Sequence, residues 1–412
     1  MEKMKLTKLE KYWILYDVGN SAFVLLASTI IPIYFNSLAE SAGISEADYV
    51  AYWGYAASVA TLCVAAIGPV LGSVADTRGC KKPLFTIFMM IGVLGCAALS
   101  FPLPWIVFLS LFVLTKVGYS SSLIFYDAML PDVTEKDRMD QVSSHGYAWG
   151  YIGSCIPFII SVLFILYPEL PGLTDSQAVS AVFLLNAVWW LGMTVPLLRS
   201  FEQTCYVEQK EHPVRDSFGR LWQVFGEVWK NKKIFWFLAA FFFYIDGVYT
   251  IIDMATAYGK DVGISDTDLI LALLVMQVVA FPCSILFGML TKKLDSGRLI
   301  RISILGYLGI VLFAVRMTRA WEFWLLAVCV AVFQGGIQAL SRSYFTRIIP
   351  KNQAAEYFGF YDIFGKGAAF LGTLLVGAAT QLFGTSRAGI GLLAVLFAAG
   401  YGFFRKAENI NA

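Results

Sequence analysis

The stretch GGIQALSRSYFTRIIPKNQAAEYFGFYDIFGKGAAF, residues 335–370, runs from a Gly-rich apolar segment through a short basic loop into a second Gly-rich apolar segment. It keeps Asp362 and Lys366 four residues apart inside a run that otherwise reads as buried in hydrocarbon. On a helix, positions i and i+4 share a face, so the two charges can neutralise one another there at low electrostatic cost. Two readings stay open for such a pair. It pins this helix to its neighbour through Arg342, or it belongs to an inner gate.

The rest of the chain supplies the setting. Of 412 residues, 58% are hydrophobic and 15% charged, where a soluble protein carries roughly a quarter charged. Apolar runs of about 18 residues or more, enough to cross the hydrocarbon core, recur too closely for soluble domains between them. The expectation is an all-α membrane protein with twelve transmembrane helices: 12–38, 50–74, 83–101, 104–126, 143–167, 177–198, 234–256, 267–290, 299–317, 321–342, 357–383 and 387–404. The first run is too long for a signal-peptide core and lacks a small-residue cleavage site, so it is expected to stay as a helix.

Positive loops stay cytoplasmic. Most of the 31 Lys and Arg residues fall on one side of this threading, with both termini, which places the termini in the cytoplasm. The longest polar stretch divides the chain into an N-terminal six-helix bundle (1–198), a cytoplasmic linker (199–233) and a C-terminal six-helix bundle (234–412). Sliding Gly118–Gly153 onto Ile337–Gly372 at an offset of 219 superposes Pro131 on Pro350, Gly146 on Gly365 and Gly153 on Gly372. Matched Pro and Gly positions in matched halves are the mark of an internally duplicated transporter.

A charge in hydrocarbon needs a partner, water or a task. Span one carries Asp17 and Asn20; span four carries Lys116; span seven carries Asp246 and Asp253; span ten carries Gln334 and Gln338 and ends on Arg342. The first helix of each triplet therefore presents a polar face, as two bundles around an aqueous cavity require. Asp246 and Asp17 are the candidates for proton coupling, because a carboxylate in a dry cavity can load and release a proton as water access changes. Lys116 is expected to face span seven, as a gating partner of Asp246 or as a holder of an anionic substrate group. Asn20, Gln334 and Gln338 would add neutral hydrogen bonds, while Asp253 and the rings of Tyr16, Tyr244 and Tyr249 would line the walls.

Between spans two and three, GSVADTRGCKK (residues 72–82) combines a flexible turn with charge. Glycines permit close helix approach, Asp76 can face a helix N-terminus, and Arg78, Lys81 and Lys82 can bridge to acidic helix ends. GMLTKKLDSGR (288–298) occupies the equivalent place in the second half. A lock that re-forms in one conformation and a plain basic turn are both compatible with these residues. The seven cysteines show neither metal-ligand nor paired spacing, a net charge of +2 argues against a nucleic-acid partner, and no nucleotide, zinc or nucleophile motif appears. Enzyme chemistry, cofactors and ATP-driven transport are not expected.

The loop resembles the signature of the major facilitator superfamily, with Gly72, Asp76, Gly79 and Lys81 matching and Cys80 where Arg is usual. YDVGNSAF (16–23), YDAMLPDV (126–133), HGYAWGYIG (145–153), YIDGVYTI (244–251) and the 335–372 segment are similar to its vacuole-effluxer-like branch. The resemblance implies the major facilitator fold and secondary transport, with amino-acid efflux as one cargo. The reading is a monomeric, multi-pass protein of a prokaryotic plasma membrane that moves a small polar solute by alternating access coupled to protons. An uncoupled uniporter or exchanger of sugars or nucleosides and a non-transporting sensor are the competing readings.

Overall fold

The computed structural model describes residues 5–169, 172–208, 226–261, 264–317, 319–383 and 385–410. The N-terminal half contains α1 (Lys8–Ser28), α2 (Ile30–Ser41), α3 (Glu46–Ala75), α4 (Lys81–Ala98), α5 (Trp105–Ala128), the single turn α6 (Leu130–Val133), α7 (Met139–Leu166) and α8 (Asp175–Ser200). The C-terminal half contains α9 (Lys232–Asp261), α10 (Asp266–Leu290), α11 (Ser296–Arg316), α12 (Ala320–Ile348), α13 (Ala354–Phe383) and α14 (Ser386–Asn409). Among the described residues, eleven helices are long and apolar enough to cross a membrane. The thirty-residue α13 is the twelfth long helix and carries an apolar stretch at Leu371–Phe383.

The first expected span, 12–38, is two helices broken at Thr29. Pro32 explains the break: it lacks an N–H, and its ring would collide with the carbonyl of Ser28 if the helix continued. At the other end α1 starts on a capping box, with Thr7 Oγ accepting from Glu10 N and Glu10 Oε2 accepting from Thr7 N. Glu10 also takes Arg138 in a 2.7 Å ion pair and the Thr134 hydroxyl at 2.7 Å, which ties the start of α1 to the turn before α7.

Each half closes on itself, α1 packing on α7 and α8 and α9 packing on α13 and α14. One hydrogen bond recurs in both halves. Tyr16 Oη lies 2.6 Å from Ser122 Oγ, and Tyr244 Oη lies 2.7 Å from Ser341 Oγ. Ser122 donates to Tyr119 O and Ser341 to Ile337 O, so each tyrosine hydroxyl is the donor to its serine. Ser341 is the residue that the sequence offset of 219 superposes on Ser122.

The halves meet along α3 against α13 and α7 against α10 and α12. Glycine makes the first contact possible: a Cβ at Gly72 would lie 2.3 Å from Ala355 O, and one at Gly359 would lie 2.7 Å from Pro69 Cα.

Because the two tyrosine bonds lie in different bundles, Tyr16→Phe and Tyr244→Phe are each expected to cost about 1 kcal/mol. Thermal unfolding in detergent should show the two losses adding in the double variant; a loss well beyond the sum would contradict their independence.

Candidate functional site

The Lys- and Arg-rich loops define one face of the molecule, called here the basic side, and the halves are clamped together near it in three places. The first is Arg342 of α12, which is 2% exposed. Its Nη1 donates to Asp127 Oδ1 of α5 at 3.0 Å, and its Nη2 is 3.4 Å from Asp17 Oδ2 of α1. Nε donates to Ser143 Oγ at 2.9 Å and Nη2 to Ser143 O at 3.1 Å. The ring centroids of Trp13 and Tyr147 lie 4.6 and 4.5 Å from the guanidinium carbon, within cation–π range. A guanidinium suits this position because its fork of donors reaches several acceptors at once and its face stacks on rings. Room for the cluster comes from Gly146, where a Cβ would lie 2.4 Å from Asp17 Oδ2.

The second clamp joins Asp140 of α7 to α12, accepting from Ser343 Oγ and Arg347 Nη1, each at 2.5 Å. The third is Asp76 at the end of α3, whose two carboxylate oxygens accept from the backbone N–H groups of Ala355 and Glu356, 2.9 and 2.8 Å away, at the start of α13. Unpaired N–H groups and the helix dipole make that terminus a favourable place for a carboxylate. Lys81 is fully buried 4.0 Å from Asp76 and bonds Asp132 Oδ2 at 2.8 Å. Asp132 Oδ1 in turn accepts from Thr204 N and Cys205 N, so the segment after α8 is part of the same assembly. Gly79 makes the turn with φ +77°, a conformation that L side chains rarely adopt, while Arg78 stacks over Tyr206. Burial pushes the Asp76 carboxyl up to about 7, against the pull of Lys81 and of the two backbone donors.

Away from the basic side, one turn beyond Arg342, an internal cavity of about 80 Å³ lies between the bundles. Its polar lining is Asp127, Gln338 and Asp362, and its walls include Tyr147, Tyr249 and Tyr361. Asp127 therefore serves both the cavity and the Arg342 clamp.

The remaining candidates are distributed elsewhere. Asn20 donates to Tyr16 O at 2.9 Å, within its own helix. Tyr16 and Tyr244 are fully buried in bundle packing. Gln334 is buried near Tyr151. Lys116 stands over the Phe112 ring and interacts with the charge of Asp253 rather than with Asp246. Asp246 is fully buried, accepts from Gly372 N at 2.9 Å and Thr250 Oγ at 3.3 Å, and does not line the central cavity. Its position repeats a contact of the other half: Val18 of α1 presses on Gly153 as Asp246 of α9 presses on Gly372. The second carboxylate oxygen, Oδ2, is buried with no hydrogen-bond partner among the described residues. Arg342, expected beside Asp362, instead reaches across to the other bundle. The side chain of Lys366 lies outside the described residues, so its pairing with Asp362 is not described.

Sequence reasoning passed over Asp127, Asp140 and Arg347 as partners. Asp127 stands in YDAMLPDV just past the expected end of span four at 126, but α5 runs on to Ala128; Asp140 precedes the expected start of span five at 143, but α7 begins at Met139.

The profile of the vacuole effluxer Atg22-like family matches residues 7–406. The chain belongs to that family. It is 42% identical over 402 residues to the uncharacterized MFS-type transporter YxiO of Bacillus subtilis (strain 168), covering 96% of this chain and 94% of YxiO. It is 26% identical over 281 residues to autophagy-related protein 22-1 of Penicillium rubens, 62% of this chain and 47% of that protein, so the chain spans about half of that fungal relative. The crystal structure of the major facilitator transporter FucP in the outward conformation superposes with a TM-score of 0.76, covering 98% of each chain at 12% identity. That likeness shows the major facilitator fold. The chain is an MFS-type transporter and a multi-pass integral membrane protein, not an enzyme.

Removing one partner of a buried ion pair leaves a charge uncompensated, at about 3–5 kcal/mol. Arg342→Gln is therefore expected to loosen the basic side, seen as faster hydrogen exchange at the Ala355 and Glu356 amides; unchanged exchange would mean that Arg342 is not part of the clamp. A second expectation follows from Asp76, whose pKa is raised from 3.8 to about 7 where it is clamped. The clamped form binds the proton more tightly, so its stabilisation is complete below pH 3.8 and is lost as pH rises through 7. After correction for intrinsic rates, exchange at Ala355 and Glu356 should be faster at pH 8 than at pH 6, and Asp76→Asn should flatten the difference.

Proposed function

We propose that the chain is a secondary transporter that moves a small polar solute by alternating access, with the clamped basic side facing the cytoplasm and the two bundles, 1–198 and 234–412, rocking about the cavity. The observation that carries this reading is the combination of cross-bundle clamps on one side with a polar, aromatic-walled cavity directly beyond them. Small glycine contacts between α3 and α13 fit surfaces that must separate and re-form. The family's description as vacuole effluxers, and the bacterial relative in Bacillus subtilis, favour solute efflux across a prokaryotic plasma membrane, with amino acids as the first cargo to test.

Coupling to protons belongs to the same proposal. Asp246 supports it with a fully buried carboxylate whose Oδ2 has no partner among the described residues, a costly place for a fixed charge that serves no task. Its contact with Gly372 lets protonation alter the packing of α9 on α13, the helix that Asp76 grips at its start. Asp17 is the second carrier: a proton on it would remove one of the two charges that hold Arg342.

In proteoliposomes of the purified protein, a pH-sensitive dye should report proton movement when one class of amino acids, dipeptides, sugars or nucleosides is added, and Asp246→Asn should abolish it. Counterflow of labelled solute without proton movement would overturn the coupling and leave an exchanger.

A further inference from the structure

We infer that residues 201–207, the first after α8, form a strap that holds the turn between α3 and α4 in the shape Asp76 needs to grip α13. Gln203 is its chief positioning residue, and through the strap the linker governs the strength of the basic-side clamp. The consequence for solute movement rests on the transporter reading above; the mechanical role does not.

The turn needs outside partners. Helix α3 ends at Ala75 and α4 begins at Lys81, which leaves the last carbonyls of one helix and the first N–H groups of the other without intrahelical bonds. Gln203 serves both helix ends at once. Its Oε1 accepts from Lys81 N at 3.3 Å, and its Nε2 donates to Ala75 O at 3.1 Å. The same Nε2 lies 3.4 Å from Cys205 O, which fixes the side chain to the backbone of the strap. Further along, Val207 N donates to Asp76 O at 2.8 Å and Arg78 N donates to Val207 O at 3.1 Å, a parallel bridge across Thr77. Four backbone groups of the turn, at Ala75, Asp76, Arg78 and Lys81, are thus satisfied by two residues of the strap.

The strap is itself anchored on the first bundle. Asp132 Oδ1 accepts from Thr204 N at 2.8 Å, Thr204 Oγ1 at 3.0 Å and Cys205 N at 2.6 Å, while its Oδ2 holds the Lys81 ammonium at 2.8 Å. One carboxylate therefore ties the strap and the start of α4 together. Lys82 Nζ donates to Phe201 O at 3.1 Å, and the Arg78 guanidinium lies over the Tyr206 ring.

Asp76 is caught between these ties. The carbonyls of Ala75 and Asp76 are both bonded to the strap, and the Asp76 carboxylate reaches Ala355 N and Glu356 N, 2.9 and 2.8 Å away. Two hydrogen bonds to adjacent amides demand a fixed carboxylate, and supporting hydrogen bonds supply the fixing. The strap's bonds described above are all made within the first bundle, so they need not break when α13 moves away. Their effect on the balance between clamped and open forms then arises through the carboxylate, the group that touches α13 in one form and leaves it in the other. Because the strap continues into the linker, an event there that lifts Val207 from Asp76 weakens the clamp without touching the cavity.

The test is hydrogen exchange in the purified full-length protein, read at the Ala355 and Glu356 amides. Gln203→Ala removes the link between the two helix ends; Val207→Pro removes the N–H that bonds Asp76 O, since proline has none. Each is expected to speed exchange there about fivefold, the equivalent of one net hydrogen bond, while exchange in the middle of α9 stays as it was. In an Asp76→Ala background neither substitution should have a further effect, because the strap acts through that carboxylate. Unchanged exchange in Gln203→Ala would overturn its positioning role, and unchanged exchange in Val207→Pro would overturn control from the linker. Equal acceleration with and without Asp76 would overturn both, leaving general support of the fold. Should Val207→Pro fail to fold, Gln203→Ala alone and in the Asp76→Ala background still decides whether the strap positions Asp76. Absence of counterflow in proteoliposomes for every solute tested would remove the transporter reading and leave the exchange results, and with them the strap, standing.

Discussion

A guanidinium with no access to water has to be surrounded by its own acceptors, and that requirement organises the basic half of this molecule. Arg342 is contributed by the second bundle and almost all of its acceptors by the first. The two bundles thus complete one another: separated without exchange for water, each would hold an uncompensated charge. The other features near it accommodate this arrangement. Gly146 makes room for the Asp17 carboxylate, and the rings of Trp13 and Tyr147 pack against the cation. Asp140 with Arg347, and Asp76 with the first turn of α13, repeat the same division of donor and acceptor between halves.

Matched positions in the two halves show where they differ. The Tyr–Ser hydrogen bond survives in both halves and marks their common plan. Where the first half has Val18 against Gly153, the second has Asp246 against Gly372. The same place holds an apolar contact in the first half and an acidic one in the second, so the second bundle carries a buried carboxyl group in its own packing while the first meets Arg342 with Asp17.

Much of this was legible in the residues alone. The lengths of the apolar runs fixed twelve crossings, because hydrocarbon thickness leaves few alternatives. The cost of charge in a membrane singled out Asp17, Asp246 and Arg342, and the glycine-rich turn around Asp76 announced a close approach. Partnership was less legible, since nothing in a linear chain gives the rotation of one helix against another. Asp362 lies fourteen residues after the break at Ile348 and was the nearer choice for Arg342, yet the helix face on which Arg342 sits points to α1 and α5. Asp246 looked cavity-facing because water is the usual relief for a buried carboxylate; the amide of Gly372, accessible for want of a side chain, supplied a different one. Asp127 and Asp140 were hidden because α5 and α7 extend beyond the expected spans.

If the bundles rock about the cavity as proposed, the concentration of clamps on a single face also makes the two sides of the membrane unequal as sources of solute. A molecule that rests with one entrance bolted exposes its cavity there only in the fraction of copies that have come apart, and the apparent affinity measured from that side is weakened by the same fraction. Two faces of one binding site would thus report different dissociation constants. Any loss of Arg342, Asp140 or Asp76 would bring those two constants closer together, without a change to a single residue that touches the solute from within the cavity's aromatic wall.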